Sequence, residues 1–596
     1  MLKISKAALL AAMLSLSAAP AIGLLPATAQ ETPAAPAAVP PFSFTITVPT
    51  IVPLESSMDE AALKDVFTSN FLSHAEELAS LNATSITIPE LTFDLTVSEG
   101  GETVASKVTY KNIVISDVKN GKAASFTVES SENASQGAVT SYGASETKNV
   151  DLRRMLEFLG MVTGDASAAL SAVSTSYSSQ GSTYTSPFFN CTFGPGNYAQ
   201  IEARPAKVSF ASVLDAFKAF GNVGMGEPPA EAISTVVHYA ADLLSGFRGG
   251  AATVGAVDCT VPASITSGPE VAVKLAGIST TDFEQGIYPS ASLNGLSIDA
   301  GEMGHGSLAN FTVKPTDLNA AIQTIESEAE TLTPQWFEAN ARRLIPSFGG
   351  LSFSGLDLDT INPDVPSGPR IQAKIANFDL SLADYLNGIP TKISSSASGV
   401  EVPLPEDTTD PQLATLLAAG LTKVNLGYDL AAAWDKDSKS INIDKVAISG
   451  VDLGSMSIGA NLGNVTEQLF DVNPNIAMAA SFGITVKQVT INVTDDGLGA
   501  IVWPLAAAQE GQTDVDAYRT QMAGFAEGLA IQMLGSTDTA RQLGTALGDF
   551  AAGRKTHVTI TITSKDPNGI AFPIFMAAQN DPTVLAGQVD VTGTAE

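Results

Sequence analysis

Histidine and cysteine are where metal and nucleophilic chemistry would show first, and this chain has 4 and 2 of them in 596 residues. His74, His238, His305 and His557 are scattered, with no two at metal-ligand spacing, and Cys191 and Cys259 have no CxxC partner. A zinc site is therefore not supported. His238 lies among apolar residues in a helical stretch and reads as a hydrogen-bonded core histidine. Gly350-Leu351-Ser352-Phe353-Ser354-Gly355 comes near a nucleophile elbow, but its fifth residue is Ser354 and the stretch alternates like a strand. Gly454-Ser455-Met456-Ser457-Ile458-Gly459 fails in the same way. The glycines between Gly221 and Gly226 link two helices and follow no strand, so phosphate and dinucleotide loops are absent. No cofactor and no catalytic residue is expected.

Carboxylates offer calcium chemistry twice. Asp357, Asp359 and Asp364, with Asn362, form an oxygen-rich cluster beside a proline-rich turn; the competing reading is a solvated loop. Asp435-Lys436-Asp437-Ser438-Lys439-Ser440 starts like an EF-hand loop. It then puts Ser440 where glycine is needed and Val446 where the bidentate glutamate belongs, so it reads as a hairpin turn. With 62 acidic residues, many pairs have glycosidase potential and none singles itself out, because the separation that matters is spatial.

The elements that would have to position such groups begin with an address. Residues 1–29 have a basic head at Lys3 and Lys6, an apolar core, and Ala27-Thr28-Ala29, which read as a cleaved signal peptide. The protein is thus expected in the periplasm, or alternatively secreted. Residues 30–41 form a Pro/Ala linker. In an oxidising compartment Cys191 and Cys259 read as a disulfide, the alternative being two separate thiols. The formal net charge of −31 argues against nucleic acid and anionic membrane surfaces as partners. The most apolar later stretch, residues 517–534, carries Arg519 and Glu527 and reads as an amphipathic helix, so no membrane span is expected in the mature chain.

Alternating strands dominate the rest. Residues 42–48 open the first one, and Ser57 with Glu60 has capping-box spacing before a helix bearing Leu63, Phe67, Phe71 and Leu78. A strand from Phe93 turns at Gly100-Gly101 and returns through Val108, Tyr110, Ile113 and Ile115; another from Tyr428 returns through Ile441, Ile443, Val446 and Ile448. Both returns are spaced two, three, two, which predicts a β-bulge at Lys111-Asn112 and at Asp444-Lys445. Ala124-Ser125-Phe126, Ala309-Asn310-Phe311 and Ala376-Asn377-Phe378 repeat a second pattern. Helices are expected after the last two, at 317–325 and 381–386. The sequence predicts an α+β fold: antiparallel β-hairpins in a large curved sheet, interleaved short amphipathic helices and irregular internal repeats. It divides into a β-rich half, 42–290, with a helical insert bracketed by the cysteines at 191 and 259, and a second half, 291–596. The second half contains a helical hairpin at 516–552, with Tyr518, Met522, Phe525, Leu529 and Met533 on one helix face, and then a final β-hairpin, 557–575. One-sided strands in line would form an apolar trough for acyl chains; the favoured expectation is instead that the interleaved helices cover it.

The signal peptide, hairpins such as Gly355-Leu356-Asp357-Leu358, strand-to-helix passages such as Val451-Asp452-Leu453-Gly454, and the C-terminal helical pair with its hairpin resemble large Gram-negative envelope proteins of the YdgA-like and AsmA-like sort. The resemblance implies no catalytic residues. It implies lipid handling between membranes, usually by a membrane-anchored protein. Together these readings predict a non-enzymatic exported envelope protein that binds lipid, another apolar ligand or an envelope protein. The alternative is a surface adhesin, and after it a hydrolase.

Overall fold

The computed structural model describes residues 42–68, 71–99, 102–222, 228–266, 268–328, 331–362, 370–404, 408, 411–418, 420–534, 537–577, 584 and 587–596. The signal peptide, the linker, Gly100-Gly101 and Asp364 lie outside them.

One antiparallel sheet of 27 strands runs through the molecule. Its strands are β1 Phe42–Thr47, β2 Val52–Leu54, β3 Ala83–Glu99, β4 Glu102–Val118, β5 Lys122–Ser135, β6 Ala138–Tyr142, β7 Ser145–Asp151, β8 Ser176–Ser179 and β9 Ser182–Thr185. They continue as β10 Asn190–Phe193, β11 Gly196–Tyr198, β12 Ala252–Val254, β13 Val257–Val261, β14 Val271–Leu275, β15 Gly277–Thr280, β16 Ala291–Asp299, β17 Gly304–Val313 and β18 Gly350–Thr360. The last are β19 Ile371–Leu386, β20 Ile389–Pro403, β21 Lys423–Asp435, β22 Ser440–Gly450, β23 Gly454–Gly463, β24 Thr485–Asp495, β25 His557–Ser564, β26 Ile570–Ala571 and β27 Val589–Ala595. The 290/291 division lies within this sheet, which continues across it where β15 pairs with β16.

A transverse crease crosses the strands. Between β5 and β16 the sheet is two parallel tracks of short strands, β6-β9-β10-β13-β14 and β7-β8-β11-β12-β15. The tracks share one register, because Tyr142↔Ser182 on one side and Ser145↔Ser179 on the other continue the same strand pair. Each pair of short strands is thus a long strand interrupted at one place. Further along, the strands stay whole but pairing lapses at the same line, which runs through Ala276, Gly295, Ala309, Gly355, Ala376 and Gly399. Gly295, Gly355 and Gly399 have φ of +64°, +65° and +62°. A Cβ on Gly355 would sit 2.7 Å from that of Ala309, so neither the backbone nor the space admits a larger residue. Such kinks bend a sheet across its strands.

The crease corrects one expected bulge and leaves the other. At Asp444-Lys445 the register of β22 slips against both β21 and β23. At Lys111-Asn112 it does not slip, since Ile88↔Ile113 and Glu90↔Lys111 belong to one register. Asn112 instead takes φ +48°, opposite Pro89, which has no N–H to donate, and all the strands kink together.

The helices include α1 Glu60–Thr68, α2 Leu152–Phe158, α3 Phe210–Asn222, α4 Ala230–Ser245, α5 Asn319–Glu326, α6 Pro474–Ser481, α7 Leu498–Gln509, α8 Val515–Leu534, α9 Asp538–Ala551 and α10 Phe572–Ala577. Several expectations change here. The Asp59 carboxylate accepts the Ala62 N–H at 2.8 Å and caps α1, while Ser57 accepts the Asn82 N–H. Phe71 and Leu78 belong to separate short helical turns beyond α1. Residues 381–386 continue β19, paired through Leu382↔Ile393, so no helix forms there. Val451 to Gly454 is a turn joining β22 to β23. In the C-terminal helical hairpin, α8 approaches α9 at two glycines, Gly548 against Ala523 and Gly544 against Glu527, and Ala523 and Ala530 are buried. Backbones that approach this closely turn Phe525 and Leu529 outward to solvent. The final hairpin is absent too. β25 pairs with β24 and β27, and after the Asp566–Gly569 loop the chain rejoins the line of β25 as β26, also against β24.

Candidate ligand-binding face

Antiparallel partners share a face, so register alone traces which side chains line up across the sheet. One row reads Ile86, Ile115, Phe126, Thr147, Tyr177 and Tyr198 in the first strands, and Val313, Leu351, Leu380, Ser395, Leu430, Val446, Ile458 and Ile491 in the later ones. Its neighbour carries Leu293, Phe311, Phe353, Phe378, Ala397, Tyr428, Ile448, Met456 and Val493. The Phe353 and Phe378 rings stack with centroids 5.0 Å apart. The opposite face is hydrophilic. There Asn310 donates to Asn294 at 2.8 Å, Lys374 to Asp357 at 2.8 Å, Asn425 to Glu401 at 3.0 Å and Thr559 to Asn492 at 2.8 Å. A shallow depression of about 390 Å³ opens on that face over Gly427, among Ser396, Ser398, Asp429 and Lys445.

Among the described residues the apolar face is covered at its two ends and lies open between them, most of all at β21 to β23, while the row members on β16 to β20 are half-buried or, at Ala397, buried. At the first end Leu63 and Val66 of α1 close with Ile51 and Met58 over Ile86, Ile88, Leu91, Ile113 and Val128, and Ile86 is 2% exposed. At the other, Leu543 and Leu547 of α9 and Ala530 of α8 pack on Ile560, Ile562, Ile570, Val589 and Val591. Among the described residues no buried cluster draws on β16 to β23. Ile448 is 56% and Val446 45% exposed, and Tyr428, Met456 and Ile458 are exposed beside them. The favoured expectation of a covered face therefore fails here. The helices that follow the hairpins leave from the strand ends and do not fold back across the middle.

The face changes character along its length. From β4 to β11 it carries Tyr110, Tyr142, Tyr177 and Tyr198 among Ser145, Ser179 and Ser182. Tyr177 and Tyr198 stack at 4.8 Å. Burial pushes all four phenols above the usual tyrosine range, with the neighbouring tyrosine adding to the effect at Tyr110, Tyr142 and Tyr198. Cys191 and Cys259 lie directly opposite each other on β10 and β13, their sulfurs 2.03 Å apart, and join the two ends of the segment holding α3 and α4.

The residues singled out for other chemistry do not assemble. Asp357 accepts from Lys374, and Asp359 accepts from Arg370 and from Gln372 at 2.9 Å. The Arg370 bond holds the Asp359 carboxyl below the usual carboxylate range. Both carboxylates are thus engaged by side chains, and among the described residues no group of three His, Cys, Asp or Glu is placed to hold a metal. The Asp435 carboxylate accepts from the Ser438 N–H and hydroxyl at 2.7 Å each, inside the turn between β21 and β22. His238 Nδ1 lies 2.9 Å from the Ser234 carbonyl, His557 Nδ1 lies 2.9 Å from the Thr494 hydroxyl, and His74 bridges Asp65 and Glu77. Among the described residues no helix is long and apolar enough to cross a membrane.

A family model described as an uncharacterized protein matches residues 447–596, from within β22 to the last residue. No curated protein and no solved structure matches the chain.

Proposed function

We propose that the protein is a non-enzymatic carrier of acyl-chain lipids in the cell envelope, in the periplasm, and that it holds them along the bare apolar face from β16 to β24. One observation carries the reading: two adjacent rows of mostly apolar side chains run across these strands, and Tyr428, Val446, Ile448, Met456 and Ile458 in them are exposed among the described residues. An uncovered apolar surface of this extent marks a place where something apolar binds. At about 4.8 Å per strand step the bare stretch measures about 40 Å, longer than the ~30 Å hydrocarbon core of a bilayer. A pair of cysteines at disulfide distance suits an oxidising compartment.

The test is mass spectrometry of organic extracts from the purified full chain. Phospholipid should co-purify, and the double variant Ile448→Asp/Met456→Asp should lose it with an unchanged unfolding midpoint. A lipid-free extract from folded parent protein overturns the reading, and recovery of the chain on the outer cell surface favours an adhesin.

A further inference from the structure

Two stretches near the C-terminal end of the sheet carry no charge, although longer uncharged runs, such as residues 166–201, occur elsewhere. No charged residue occurs between Asp471 and Lys487, or between Asp566 and Asp581. The pairing of Thr485 with Ala571 and of Val486 with Ile570 brings the two stretches side by side at one end of β24. From there α6 and α10 leave the sheet. Together they expose Val472, Ile476, Met478, Phe482 and Ile574, with Phe482 70% and Met478 57% exposed. The apolar face of the sheet ends at this same rim, in Val486 and Ile570.

We propose that this rim, the tip formed by α6 and α10, dips into the interface of a lipid bilayer. The arrangement of the side chains selects a membrane over a protein groove. A helix docking in a groove presents anchors on one stripe, at i, i+3, i+4 and i+7. Ile476 and Met478 are two positions apart and point to opposite sides of α6, while Val472 and Phe482 flank its ends. Apolar groups on every side suit a medium that is apolar on every side. α6 has 8 residues and is about 12 Å long, so it enters the interface without spanning it. The net charge of −31 makes a zwitterionic surface the better partner, and the two stretches at the rim add none of that charge to the contact.

Flotation of the full chain with protein-free phosphatidylcholine vesicles tests this. The parent chain should float with them. Met478→Asp/Phe482→Asp should lower the vesicle partition constant about tenfold or more, since 1.4 kcal/mol of lost apolar transfer already gives that factor. Mixing in phosphatidylglycerol should weaken binding. Phe525→Asp, which alters an equally exposed aromatic on α8, should bind as the parent does. A parent chain that does not float, a double variant that floats as well as the parent, or equal loss from Phe525→Asp overturns the assignment. So does binding to native membranes without binding to protein-free vesicles, which would make the occupant a protein. Ile448→Asp/Met456→Asp should still float while yielding no co-purified lipid, so this proposal and the carrier reading fail separately.

Discussion

Ile86 in β3 and Val446 in β22 belong to the same transverse row, yet one is 2% and the other 45% exposed. Their strands carry the same kind of alternation, and both face the same side of one sheet. The difference is made outside the strands. At the first end the chain passes from β2 through α1 to β3 and lays Leu63 and Val66 on the face. In the middle, β21, β22 and β23 are joined by tight turns at Asp435–Ser440 and Gly450–Gly454, so these connections lay nothing across the face, and the β23–β24 connection reaches only Trp434 at the end of β21, through Phe470. Burial of a β-face is thus decided by the length and direction of its connections, while the hydrophobic pattern only makes burial worthwhile.

Substitution by aspartate should separate the two regions most sharply. Ile88→Asp places a carboxylate without a partner in the closed core and should cost upward of about 4 kcal/mol in urea unfolding. Ile448→Asp, on the bare stretch, should stay within about 0.5 kcal/mol. Similar losses at both would mean that the middle is covered after all. Removing the disulfide with Cys191→Ser/Cys259→Ser should cost roughly 3–4 kcal/mol through the freed 68-residue separation, read as a lower thermal midpoint. Gly355→Val should cost about 1–3 kcal/mol, because φ +65° is strained for valine and the Ala309 methyl blocks its Cβ. Its loss of bound lipid should exceed what that destabilisation explains if curvature shapes the trough.

The smallest effect belongs to the covered end. His74 is raised above its usual range first by the Glu77 bond and then by that to Asp65. The stabilisation from its protonated form is complete below the unfolded value, about 6.5, and is lost as pH rises through the elevated folded value. The urea midpoint should fall slightly across that window, and His74→Gln should flatten the dependence.

Much of the sheet is legible in the residues. The alternation at Tyr428–Ile448 gives the hairpin, and its two-three-two spacing gives the Asp444-Lys445 slip. The Ala309 and Ala376 repeats are visible as well, but their meaning is not. Each alanine is a crease residue facing a glycine, Gly355 or Gly399, that is distant in sequence, so the pattern becomes readable only once the strands are paired. Residues 381–386 carry a helical spacing that pairing with β20 overrides. Phe525 and Leu529 look like a core stripe because bulk suggests burial, whereas the close helix contact is made by Ala523 and Glu527 against Gly548 and Gly544. The bare face has a signal that was available: the turns at 435–440 and 450–454 are too short to span it.

The register shared by the two tracks of short strands on either side of the crease has a consequence for how such a chain varies. Where each strand touches only its two neighbours, stability is close to a sum of nearest-neighbour terms, and the covered ends act as caps on a one-dimensional array. A hairpin inserted into the middle keeps the antiparallel order, carries its own crease residues and disturbs neither cap. The span of the apolar floor is therefore a matter of how many hairpins are strung between the ends. Relatives can lengthen or shorten it by whole hairpins without redesigning a core.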